Sequence, residues 1–230
     1  MATLARHEAI FKPEMLKDTP IHIIGCGATG SNLALSLVKL GVPELHLYDM
    51  DVVEEHNIAN QFFTDADIGK KKCVSLKENL GKFVTNPYSE VHAHDAEVTS
   101  ENAEIHIENG IIFCVTDSMS SRNDLFKDFA KANIRIDYWI ETRMNLDTVR
   151  VYAIDPCNCI ECRKYEETLY TDENTVESAC GTTQTAFPTA SIVANQAVWM
   201  LLAHLNGKEH PNEFIQFYPT CEIMMREFKK

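Results

Sequence analysis

One stretch limits what this chain can fold into: Ile21-His22-Ile23-Ile24-Gly25-Cys26-Gly27-Ala28-Thr29-Gly30. Its four isoleucine-rich residues read as a short buried strand. They run straight into a G-x-G-x-x-G turn, and Ser31 to Leu40 then reads as a helix. That order builds an anion site. Glycines let the backbone come close to a phosphate, and the helix N-terminus aims N–H groups and a partial positive charge at it. The glycines alone do not choose among NAD enzymes, flavoenzymes and nucleotidyl transferases.

Strands and helices alternate after the turn. Glu44 to Asp49 and Glu90 to His94 read as strands, and Ile111 to Val115 is a continuous apolar run, as a central parallel strand requires. Ile134 to Ile140 reads as the next strand. Helices are expected over Lys70 to Thr85, Ser100 to Asn109 and Ser120 to Asn133. This predicts an α/β fold: a Rossmann-like, doubly wound, mostly parallel sheet. Beyond Glu141 the pattern changes. Asp147 to Ile154 alternates like an antiparallel or edge strand, Pro188 to Leu205 reads as a long apolar helix, and Phe214 to Phe217 and Glu222 to Phe228 as antiparallel C-terminal strands. Residues 1–20 form a lead-in punctuated by Pro13 and Pro20, and residues 155–186 a cysteine-containing crossover loop with an acidic stretch, Glu166 to Glu177. With no repeat and no clear linker, a single domain over 1–230 is expected.

Composition narrows the function. The formal net charge of -13 speaks against a nucleic-acid binder, whose footprint would be basic. No apolar run approaches the roughly 20 residues needed to span a bilayer, and Met1 to Phe11 is too polar for a signal peptide. A soluble, cytoplasmic protein is expected, with no membrane partner. Cys26, Cys73 and Cys114 fall in core elements and read as reduced thiols.

The residues after the turn carry the specific signal. Asp49 ends the second strand nineteen residues after Gly30, where a dinucleotide site places its ribose-binding acid. Asp51, Asn57, Asn60 and Gln61 follow, then Asp67-Ile-Gly69-Lys-Lys-Lys72, then Thr116-Asp117-Ser-Met-Ser-Ser-Arg122-Asn123. In this order and spacing the chain resembles the ThiF/MoeB/HesA family, whose fold is shared with ubiquitin-activating E1 enzymes, from about Leu16 to the C-terminus. Similar proteins join the C-terminal carboxylate of a small ubiquitin-like or sulfur-carrier protein, ending in Gly-Gly, to AMP from ATP, and release pyrophosphate.

The resemblance implies roles for individual residues. Gly25, Gly27 and Gly30 shape the nucleotide loop, Asp49 holds the ribose beside Asp51, and Asn57 and Gln61 line the phosphate site. Lys72 stabilises charge on the α-phosphate, and Asp117 helps hold Mg²⁺. Such chemistry needs positioning and charge neutralisation more than covalent help. The family arginine before the glutamine is Asn60 here. The family's N-terminal arginine, which crosses a homodimer into the partner's site, is matched only by a displaced Arg6. Lys70 and Lys71 are expected to supply charge instead. Arg122 reads as structural, and Arg143 as either substrate contact or scaffold.

The cysteines admit two readings. Cys159-Ile-Glu-Cys162 on a loop, with Cys157 and Cys221, offers four thiolates for tetrahedral Zn²⁺, although the family's second pair is incomplete in Thr220-Cys221. The other reading is free surface thiols. Cys180, on the crossover loop, is either a reactive thiol or inert. Two further classes stay open on sequence grounds: an NAD-dependent oxidoreductase, and a non-catalytic scaffold that keeps the fold.

Overall fold

A computed structural model describes residues 4–99, 101–102, 107–131, 135–170 and 185–229. The first strand, β1 (Ile21–Ile24), lies in the middle of an eight-stranded sheet. Beside it are β2 (Glu44–Tyr48), β3 (Glu90–His94), β4 (Asn109–Cys114) and β5 (Arg135–Met144). β6 (Thr148–Ile154), β7 (Glu213–Phe217) and β8 (Glu222–Arg226) complete it in the order β3-β2-β1-β4-β5-β6-β7-β8. Pairing is parallel from β3 to β5 and antiparallel from β5 to β8. The expected mostly parallel sheet with antiparallel C-terminal strands is therefore the observed one.

Period-two alternation divides the side chains between two layers. Ile21, Ile23, Leu45, Leu47, Ile111 and Phe113 face α1 (Ala28–Leu40), α2 (Lys72–Leu80) and the long α5 (Phe187–Leu205). Ile112, Cys114, Trp139 and Tyr152 face α3 (Met119–Lys131) and α4 (Cys159–Glu166), where Leu125, Phe126, Phe129 and Tyr165 meet them. Cys26, Cys73 and Cys114 are free and fully buried.

Several boundaries differ from expectation, each for a physical reason. α1 begins at Ala28, inside the glycine motif, because Gly27 is its N-cap. α2 is shorter than Lys70 to Thr85, since Lys71 caps it and Gly81 ends it. The expected helix over 100–109 lies partly outside the described residues, and its last residue, Asn109, already belongs to β4. β5 runs on through Glu141, Thr142 and Arg143, where sequence reading ended it at Ile140. Antiparallel pairing with β6 continues there as far as Met144–Val149. The C-x-x-C pair sits on helix α4, not on a loop, because Asn158 caps that helix through Ile160 and Glu161 N–H.

Candidate nucleotide-binding site

The sheet order reverses between β1 and β4, and the crevice beyond their carboxyl ends is where open α/β sheets bind ligands. The glycine turn fills that position. Gly25 has φ +103°, and a Cβ there would lie 2.9 Å from the Val115 carbonyl oxygen at the end of β4. A Cβ on Gly30 would lie 1.9 Å from the Gly25 oxygen. These two glycines are therefore demanded by the fold. Gly27 is different: a Cβ there would meet nothing within 4 Å. Its α-hydrogens face open space at the start of α1, which has neither a capping side chain nor an acidic residue in its first turn. Free N–H groups and the helix dipole meet at that point.

Gly27→Ala accordingly separates fold from ligand. The variant should cost about 1 kcal/mol or less, the loss of a tolerated N-cap, while calorimetry should show ATP affinity falling at least about tenfold, or ~1.4 kcal/mol. Unchanged affinity would place the phosphates elsewhere.

Asp49 closes the turn. Its Oδ2 accepts from Cys26 N–H at 2.7 Å and its Oδ1 from Asp51 N–H at 2.8 Å. Burial raises its pKa, against the pull of those two N–H groups and Lys72. Each oxygen keeps a lone pair for a ribose hydroxyl. The two downstream motifs are stapled together. Val53 N–H donates to Lys70 O, Gly69 N–H to Val53 O, and Lys72 N–H to Asp51 O at 3.0 Å. This staple brings the Lys72 ammonium 2.8 Å from Asp51 Oδ2, with 11% of its side chain exposed. Burial opposes the lysine's charge. The Asp51 hydrogen bond and the charges of Asp49, Asp51 and Asp117 outweigh it and raise the pKa above the ordinary lysine value. Asp117 itself is exposed, just past the end of β4.

Asn57 is buried, and its Oδ1 accepts from Glu54 N–H at 2.8 Å, so it builds the loop more than it lines the site. Asn57 O receives Gln61 N–H, and Phe62 N–H donates to Ser31 Oγ in the first turn of α1. Asn60 donates to Thr185, just ahead of α5. Asn60 Oδ1 and Gln61 Oε1 are buried with no hydrogen-bond partner among the described residues. Orphaned amide oxygens on the loop that contacts the first turn of α1 fit a ligand with hydrogen-bond donors, because a buried polar group left unpaired costs about 1–3 kcal/mol. Mg²⁺ fits as well: it takes carboxylate and phosphate oxygens, and Asp117 offers an exposed carboxylate at the crevice.

Other expected residues are not gathered there. Lys70 faces Asp67 at 3.7 Å, and Lys71 binds Asp95 at 2.9 Å and the Met50 carbonyl at 2.7 Å, so neither replaces the missing arginine. Arg6 is exposed near the far end of α1, where neighbouring His7 contacts the Leu40 carbonyl at 3.2 Å. A 13-residue helix, roughly 20 Å, separates that end from the glycine turn. The four thiols expected to hold zinc do not converge. Among the described residues the only metal-capable group is Glu44, His46 and His92. Cys162 Sγ instead turns toward the Pro156 carbonyl at 3.5 Å, and exposed Cys221 sits in the β7–β8 turn at φ 57°. Cys180 lies outside the described residues.

Sequence reading missed a buried cluster behind the site. Glu141 is fully buried between two arginines. Arg143 grips it through Nε and Nη2 at 2.8–3.1 Å, Arg122 Nε lies 3.3 Å away, and Tyr165 donates to it at 3.2 Å. Arg122 also donates to the Thr116 and Thr142 carbonyls, and Arg143 to Thr168 O at 2.8 Å. Both arginines are therefore scaffold. No local signal marks it: only the pairing of β5 with β6 puts Trp139, Glu141 and Arg143 on one strand face.

Fold and site together define a doubly wound α/β domain with a glycine turn at the topological switch point. The sequence profile of the ThiF family matches residues 7–230, and the chain belongs to that family. Over 110 residues it is 30% identical to the NEDD8-activating enzyme E1 catalytic subunit of Caenorhabditis elegans, covering 47% of this chain and 25% of that protein. Over 114 residues it is 31% identical to the molybdopterin-synthase adenylyltransferase of Escherichia coli (strain K12), covering 49% and 45%. The chain thus spans less than half the length of these relatives. In fold it is similar to E. coli MccB, with a TM-score of 0.77 at 20% identity over 95% of this chain and 64% of that one. PaaA gives 0.71 at 20% identity over 94% and 75%. No described helix is long and apolar enough to cross a membrane.

Proposed function

We propose that this chain is an adenylyltransferase that uses ATP to activate the C-terminal carboxylate of a small ubiquitin-like or sulfur-carrier protein. The observation that carries the reading is the Lys72 ammonium, held 2.8 Å from Asp51 and within the field of Asp49 and Asp117, beside the uncapped start of α1. Membership of the family, and relatives named as activating enzymes and adenylyltransferases, support it.

In this reading the phosphates lie over Gly27 and the N–H groups of α1, and Asp49 accepts from the ribose. A carboxylate oxygen of the carrier attacks the α-phosphorus, the bond to the β-phosphate oxygen breaks, and pyrophosphate leaves. Lys72 meets the charge that grows on the α-phosphate oxygens. Asp117 would hold Mg²⁺, which would supply neutralisation of phosphate charge. Arg6, remote from its own chain's turn, would serve a second copy in a homodimer. Ile192 and Trp199, exposed on α5, offer apolar surface for such a pairing. Any transfer through Cys180 would follow adenylation.

Carrier-dependent exchange of labelled pyrophosphate into ATP tests the reading, with a panel of Gly-Gly-tailed carriers as substrates. Exchange is the expected result. Tight ATP binding without exchange for any carrier would favour a scaffold, and NADH binding without ATP binding an oxidoreductase.

A further inference from the structure

The strands at the β2–β3 edge carry an unusual set of side chains on one face. Glu44 and His46 are two residues apart on β2, so both point the same way. In the parallel register His46 faces His92 and Glu44 faces Glu90. His46 Nε2 lies 2.9 Å from Glu44 Oε1, and the His46 and His92 rings stack at 4.7 Å. The donor atoms of Glu44, His46 and His92 all lie within 4.8 Å of one another. His92 Nε2 also has Glu90 Oε2 at 3.3 Å.

Nothing in β-sheet packing asks for this set. Half-buried strand faces favour β-branched and aromatic residues, and these imidazoles lie ring against ring, His22 stacking on His46 at 4.8 Å as well. The set has the chemistry of a ligand shell. Two imidazoles and a carboxylate match a borderline divalent transition ion, whereas Mg²⁺ and Ca²⁺ take all-oxygen shells. A metal-bound histidine usually has its second ring nitrogen fixed by a neighbour. Here His46 Nδ1 lies 2.9 Å from His94 Nε2, and Tyr48 stacks on His94 at 4.4 Å. His46 is 17% exposed, Glu44 46% and His92 39%, which leaves a way in from solvent.

We propose that Glu44, His46 and His92 form a binding site for a divalent transition-metal ion of the Zn²⁺ class. The ion would pin edge strand β3 to β2. Asp49 N–H donates to the His94 carbonyl at 3.3 Å, so the pinned edge borders the strand end that carries the nucleotide acid. The proposal does not depend on adenylation, and it places a metal away from the cysteines.

The test uses the full chain, stripped with chelator and titrated with Zn²⁺ by calorimetry and with Co²⁺ by visible absorption. One equivalent should bind, with X-ray absorption showing nitrogen and oxygen ligands only. His46→Ala, and separately the milder Glu44→Gln and His92→Gln, should each weaken binding at least about tenfold. A variant with Cys157, Cys159, Cys162, Cys180 and Cys221 all changed to Ser should retain it. The proposal is overturned by sulfur in the metal shell, by retention in Glu44→Gln and His92→Gln, or by no saturable binding in the wild type.

Discussion

Lys72→Ala should lower the rate of carrier-dependent pyrophosphate exchange by about 10²–10³-fold, the loss seen when one preorganised charge-stabilising donor is removed. The fall should come mainly in kcat. ATP already bears its negative charges in the ground state, but the α-phosphate gains further negative charge as the carboxylate attacks, so Lys72 does more in the transition state than in binding. Stability should hardly change. Its Asp51 partner is 58% exposed, and ion pairs open to solvent contribute little. The pH profile gives a second check. Because the folded-state pKa is raised above 10.5, the lysine stays a cation throughout the range in which the protein is assayed. Whatever the pair contributes is present below 10.5 and lost only as pH rises through the folded value. No activity limb from this lysine should therefore appear between neutrality and pH 10. Exchange by Lys72→Ala within threefold of wild type would mean that another group meets the charge. Lys70 and Lys71 are poor candidates, since their ammonium groups face Asp67 and Asp95.

The three lysines show where sequence reading reaches its end. Asp67-Ile-Gly69-Lys-Lys-Lys72 locates a helix start and the charge near it, and the three-residue step from Gly69 picks out Lys72. It cannot say where the other two point. Both precede the helix, Lys71 being its extended N-cap, and their partners, Asp67 and Asp95, are set by tertiary packing. The parallel strands were legible because isoleucine runs and glycine punctuation are local signals. The extension of β5 was not, because Glu141-Thr-Arg143 looks like a polar loop until its partners are known. Those partners are Arg122 on α3 and Tyr165 on α4. The histidine face was equally hidden. Glu44-Leu-His-Leu-Tyr reads as alternation, but only the β2–β3 register places His92 opposite His46.

The same cluster gives the largest expected loss of stability. Glu141→Ala should destabilise the chain by about 3–5 kcal/mol, measured by urea unfolding, because it leaves two guanidinium groups buried without their counter-charge. Against a typical total of roughly 5–15 kcal/mol, that is a large share. The loss should not be read as the net worth of the ion cluster. Taking three charges out of water is costly, and apolar groups of similar volume often serve stability as well or better. Arg122→Met, Glu141→Leu and Arg143→Met combined should therefore recover most of what Glu141→Ala loses. Activity should part company with stability in that triple variant. Arg122 holds the Thr116 carbonyl, one residue before Asp117, and Arg143 holds the Thr168 carbonyl just past α4. Methionine and leucine can fill the space but cannot hold those carbonyls. A stable triple variant with weakened pyrophosphate exchange would identify the cluster as a positioning device for the Asp117 loop. Full exchange with full stability would reduce it to packing.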